Sequence, residues 1–67
     1  MDEDYRTYAP DQRPDVEVLV DGTWLAGELH AWAKRNGVWL GHVTYRTEPG
    51  PQYRRTLPDD QIREINP

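Results

Sequence analysis

Two dipeptides, Asp21-Gly22 and Asn36-Gly37, divide the middle of this 67-residue chain into apolar runs. Both are strong signals for a two-residue hairpin turn, because Asp, Asn and Gly accept positive φ. The runs they separate are β in character. "VEVLV" (16–20) is β-branched and alternates in part. "TWLAGELHAWAK" (23–34) and "VWLGHVTYR" (38–46) carry branched and aromatic residues. "TEPGP" then forces a loop, since its prolines and glycine cannot continue a ladder. "QYRRTL" (52–57) is a fourth run. "PDDQ" predicts one 3₁₀ turn, and "IREI" (62–65) predicts a short last strand.

Register follows from which side chains share a face. A two-residue turn at Asp21-Gly22 pairs Val20 with Thr23, Val18 with Leu25 and Val16 with Gly27. At the second turn, Asn36-Gly37 alone would oppose Leu29 to Thr44 and turn Val43 and Tyr45 away from the core. A three-residue loop, Arg35-Asn36-Gly37, with its glycine in a bulge, pairs Leu29 with Val43, Gly27 with Tyr45 and Ala31 with Gly41. The sequence therefore favours the longer loop. It follows that His30 opposes His42, Glu28 opposes Thr44, and Trp32 opposes Leu40 on the outer face. The expected core is Val16, Val18, Leu25, Gly27, Leu29, Ala31, Trp39, Val43, Tyr45, Leu57, Ile62 and Ile65. Trp32, Val38 and Leu40 are left outside it and need a cover.

Composition narrows the function. A chain this short holds one small domain. It has no Cys, which excludes disulfides, and only two His, which excludes a Cys/His zinc site. No apolar run approaches the ~18 residues of a membrane span. The opening "MDEDYRTYAPDQRPD" is acidic, unlike a signal peptide, and the expected compartment is the cytoplasm. Net charge is −4, unevenly spread. Residues 1–21 hold seven acids against Arg6 and Arg13, while residues 34–56 hold Lys34, Arg35, Arg46, Arg54 and Arg55 against Glu48. Residues 1–15 are thus expected to form a flexible acidic arm. The charge asymmetry offers a sharper alternative, in which the arm folds back on the basic strands with Tyr5 or Tyr8 touching Trp32.

Candidate chemistry is sparse. The chain contains no Ser or Cys nucleophile and no Gly-rich phosphate loop, so no enzyme is expected. His30, His42 and Glu28 approach a three-ligand set, but side chains along one sheet face diverge. No metal or other cofactor is expected. Asp59 and Asp60 read as local turn and capping residues.

Short strand, Asp-Gly, long strand, glycine-bearing turn, long strand, short strand, 3₁₀ turn and short strand is the order of an SH3-like barrel. "VEVLVDGTWLAGEL", "GHVTYR" and "LPDDQIREI" together resemble the Tudor/agenet branch of that fold. The matching positions are Val18, Asp21, Gly22, Trp24, Gly27, Leu29, Val43, Tyr45, Leu57, Pro58, Ile62 and Arg63, over residues 16–65. The resemblance implies an all-β, five-stranded barrel with a 3₁₀ turn before the last strand, serving as a non-enzymatic binding module. In relatives an aromatic cage holds methylated Lys or Arg through cation–π contacts. The cage places fall here on Val20, Trp24, Leu25 and Tyr45, with Tyr53 beyond the loop. Trp24 and Tyr45 are aromatic there, whereas Val20 and Leu25 are not.

The expected function is protein or peptide binding through an aromatic surface, with self-association as a further option. The second reading is nucleic-acid binding through the basic third and fourth strands. The candidate binding residues are Trp24, Trp32, Leu40, Tyr45, Tyr53, Arg46 and Arg54.

Overall fold

The computed structural model describes residues 4–47 and 49–65, so Asp2, Glu3 and Glu48 of the charge argument lie outside the described residues. Six strands form one antiparallel sheet: β1 (Tyr5–Thr7), β2 (Asp15–Val20), β3 (Thr23–Arg35), β4 (Val38–Arg46), β5 (Gln52–Pro58) and β6 (Ile62–Glu64). Single 3₁₀ turns lie at Pro10–Gln12 and at Asp59–Gln61. The strand order is β5-β4-β3-β2-β6, with β1 added beside β3. The expected five strands all occur, and β1 is a sixth. The sheet does not close into a barrel. β6 is only three residues long and pairs with β2, and among the described residues no ladder joins it to β5.

The sixth strand has a backbone cause. β3 is 13 residues long, but β2 covers its edge only as far as Glu28. The remaining edge would present unpaired N–H and C=O groups. Tyr5, Arg6 and Thr7 pair with Ala33, Trp32 and Ala31 there. Backbone bonds extend the cover on both sides: Lys34 N–H donates to Asp4 O (2.8 Å), Tyr8 N–H to His30 O (3.0 Å) and Leu29 N–H to Pro14 O (3.1 Å). Within the expected arm over 1–15, then, residues 5–7 are a strand.

The first hairpin has the expected register, with Val20 on Thr23, Val18 on Leu25 and Val16 on Gly27. Asp21 (φ 51°) and Gly22 (φ 79°) are both left-handed, which makes a type I′ turn. The second hairpin corrects the loop expected at Arg35-Asn36-Gly37. Asn36 (φ 51°) and Gly37 (φ 80°) form another two-residue I′ turn, and Arg35 pairs with Val38. At the base, Leu29 still pairs with Val43 and Gly27 with Tyr45. Turn chemistry and core patterning demand registers one residue apart. A β-bulge at His30, between Leu29 and Ala31, satisfies both.

The bulge exchanges the two faces of β3 beyond it. Trp32 now pairs with Gly41 rather than Leu40, and Ala31 pairs with His42 rather than Gly41. His30 and His42 are not partners. Trp32 accordingly lies on the core side, where Gly41 leaves room for it: a Cβ at Gly41 would crowd the Trp32 ring, Leu29 and Ile62. The core is Val16, Val18, Leu29, Val43, Tyr45, Leu57 and Ile62, with Tyr8, Val20, Leu25 and Trp32 packed against it. Ala31 and Ala33 are buried on the opposite face. Ile65, expected in the core, is 46% exposed: Ile62 faces the core opposite Val18, and strand alternation turns Ile65, three residues on, to the other face. Among the described residues no helix is long and apolar enough to cross a membrane.

Candidate functional site

The hairpin of β3 and β4 runs past the end of β2, so its tip has no strand of β2 beside it. Two indoles occupy the core side of that overhang. Trp32, anchored on the core, meets Trp39 edge to face, with ring centroids 6.4 Å apart and planes at 83°. This geometry sets the positive ring edge of one indole on the negative face of the other. The pair forms two walls of a hollow of about 360 Å³, completed by Arg6 from β1 and Asp59 from the second 3₁₀ turn.

The rim is charged. The Arg6 guanidinium lies 5.9 Å from the centre of the Trp39 ring, and Lys34 Nζ lies 5.7 Å from it. Each is within cation–π reach, at roughly 0.5–1 kcal/mol for an exposed pair. Arg6 is delivered by the β1–β3 ladder, which pairs it with Trp32. Asp59 was expected to cap its turn, but no side chain caps that turn; the Ile62 N–H bonds to the Asp59 backbone oxygen instead. The hollow therefore offers apolar indole walls, one carboxylate and two cations.

The remaining candidate residues are dispersed. Trp24 is half-buried on the β2–β3 hairpin with the Arg63 guanidinium stacked 4.0 Å from its ring centre. Arg63 is held there by an ion pair to Glu17 (2.7 Å). Tyr45 is a core residue, 6% exposed, stacked on the exposed Tyr53 at 5.5 Å. Tyr45 and Arg46 line a separate hollow of about 320 Å³. Leu40 pairs with Ala33 on one side and Pro58 on the other, on the outer face. Arg46 and Arg54 also lie on that outer face, with Thr44, whereas Arg55 pairs with Val43 on the other. The basic residues of β4 and β5 are thus divided between two faces.

Trp32 is the one candidate residue in the tryptophan hollow. Arg6, Trp39 and Asp59 escaped sequence reasoning as its lining. Arg6 sits in a stretch whose composition reads as an arm, and Asp59 comes from the far end of the chain. Among the described residues, no group of three or more His, Cys, Asp or Glu is placed to hold a metal ion. His30 and His42 are each held by a threonine: His30 Nε2 bonds to Thr44 Oγ1 (2.9 Å) and His42 Nδ1 to Thr56 Oγ1 (2.8 Å). The chain matches no family model, no curated protein and no solved structure.

Proposed function

We propose that this chain is a small non-enzymatic binding module of SH3-like, Tudor-like type, and that the tryptophan hollow takes a segment of a protein partner. The observation that carries this reading is the Trp32–Trp39 pair, set at right angles in an open hollow with a charged rim. Tryptophan is enriched among the few residues that carry most of the binding energy at protein interfaces, where a partner desolvates them. A carboxylate and two cations around them suit the polar groups of a peptide flanking an apolar side chain. The antiparallel order, the two I′ hairpins and the 3₁₀ turn before the last strand support the SH3-like assignment. Division of Arg54 and Arg55 between two faces favours a protein over a nucleic acid, which would need a continuous positive surface.

The test is affinity capture from source cells with the full chain and with Trp39→Ala, each with and without nuclease. A protein retained by the wild type after nuclease and lost from a folded Trp39→Ala variant supports the reading. Retention that disappears with nuclease supports nucleic-acid binding instead. Equal retention by both chains refutes a role for the hollow.

A further inference from the structure

We propose that a second hollow, on the opposite face of the sheet from the tryptophans, binds a terminal phosphate group. It measures about 390 Å³ and lies between the N-terminal segment and the outer face of β3–β5. Tyr5, Thr7 and Arg13 come from the first side, and His30, His42 and Arg54 from the second. No carboxylate is among its lining residues.

Three features point to an anion. The first is Arg13. Its Nε atom is shielded from solvent and meets no hydrogen-bond acceptor among the described residues. A shielded donor without a partner is costly, and one on a cation more so. An anion beside this shielded cation offsets that cost: Arg13 lines the hollow, and its forked guanidinium matches a phosphate geometrically. The second is the concentration of positive charge. Burial holds the His30 imidazole below its ordinary pKa, and Arg13 and Arg54 add to the effect; Glu28 opposes it. Two guanidinium groups therefore act at one place, and among the described residues neither is in a salt bridge.

The third feature is the histidine arrangement. Each threonine bond occupies one ring nitrogen and leaves the other for a ligand. Tyr5 stacks obliquely on His42, with centroids 6.1 Å apart, and closes one side. Donors converging from two sides on one hollow suit the end of a phosphomonoester, whereas a phosphodiester strand would need a longer track of them. Because β1 and Arg13 form a wall, the ligand also ties the N-terminal segment to the sheet. This site and the tryptophan hollow share no lining residue.

The experiment is an NMR titration of the ¹⁵N-labelled full chain. The probes are inorganic phosphate, O-phosphoserine and oligothymidylate, with sodium chloride at matched ionic strength as control. Saturable shifts confined to Thr7, Tyr8, Arg13, His30 and His42 are expected with phosphate and O-phosphoserine, and not with chloride. Arg13→Gln and the surface variant Arg54→Gln should each weaken binding roughly tenfold, the loss expected for one charge-assisted contact. Shifts that fail to saturate, that chloride reproduces, or that saturate with unchanged affinity in a folded Arg54→Gln variant overturn the proposal. Tighter binding of oligothymidylate than of O-phosphoserine, with steep salt dependence, overturns the monoester assignment.

Discussion

Replacing Trp32 by alanine separates the two registers of the second hairpin by energy. With the bulge at His30, the indole packs over Gly41 against Leu29 and Ile62 and meets Trp39 edge to face. A Trp side chain buries roughly 150–250 Å² when enclosed, and a half-buried one about 100 Å². At about 25 cal/mol per Å² that burial is worth about 2.5 kcal/mol. The edge-to-face pair adds about 0.5–1.5 kcal/mol. The expected loss is about 3 kcal/mol. A 67-residue domain is stable by only roughly 3–10 kcal/mol. With a urea m-value of about 1 kcal/mol per molar, the unfolding midpoint should fall by about 3 M, or the variant should be unfolded without denaturant. In the three-residue-loop register, Trp32 would stand outside beside Leu40, and its removal would cost no more than about 0.5 kcal/mol. Urea unfolding followed by circular dichroism reads the difference. A loss below about 0.5 kcal/mol would refute the bulge and the core position of Trp32 together.

Gly27→Ala should destabilise the fold by about 2–3 kcal/mol, because the new Cβ would press on the backbone carbonyl of Thr44 in the facing strand, which cannot rotate away; an unchanged melting temperature would contradict this. Deleting residues 1–14 should shift the amide resonances of residues 29–34 and lower stability by about 2–4 kcal/mol, since three backbone bonds from Asp4, Tyr8 and Pro14 are lost along with the β1 ladder. Resonances of 29–34 that do not move would rule out the docked strand. His30 sets a pH dependence. Its folded pKa lies below the ordinary value of 6.5, so the unfolded chain binds more protons between the two values. Stability should be full above pH 6.5 and fall as the pH drops through the folded pKa, and His30→Gln should flatten that slope in denaturation curves taken from pH 5 to 8.

The sequence was most legible where one local rule acted alone. Asp21-Gly22 and the alternation of Val16 and Val18 fix the first hairpin without competition, and the pairing Val18–Leu25 follows directly. The second hairpin is governed by two rules that disagree by one residue. The core pattern taken alone favours the Leu29–Val43 pairing with a longer turn. The chain keeps both and spends one residue, His30, on the difference. Nothing in "ELHAW" marks that position, because a bulge away from a glycine leaves no compositional trace. Its effects are large: Trp32 moves to the core side, the two histidines lose their pairing, and Ala31 and Ala33 face outward. The candidate hollow shows the same effect: the sequence marks Trp32 as a binding residue, but only the bulge sets the face it occupies.

The same bulge explains why the N-terminal segment docks where it does. Trp32, the one large apolar residue of β3 beyond His30, now points to the core side, so the outer row there holds Ala31, Ala33 and, at the tip, Arg35. Two alanines cannot shield a sheet face by themselves. Both are nonetheless buried, at 3% and 6% exposure. In the row beside them lie Tyr5 and Thr7 of β1 on one side and His42 and Leu40 of β4 on the other. The Trp32 and Lys34 row receives Arg6 instead, which places a guanidinium on Trp39. One inserted residue in β3 thus decides which residues of the N-terminal strand reach which face. It assigns Arg6 to the tryptophan hollow and Tyr5 and Thr7 to the histidine–arginine hollow. Moving the bulge by one position, or removing it by deleting His30, should therefore disrupt both hollows at once while leaving the first hairpin intact. Retention of the Arg6–Trp39 and Tyr5–His42 contacts in a folded His30 deletion, read from nuclear Overhauser effects, would show that the bulge is not what distributes them.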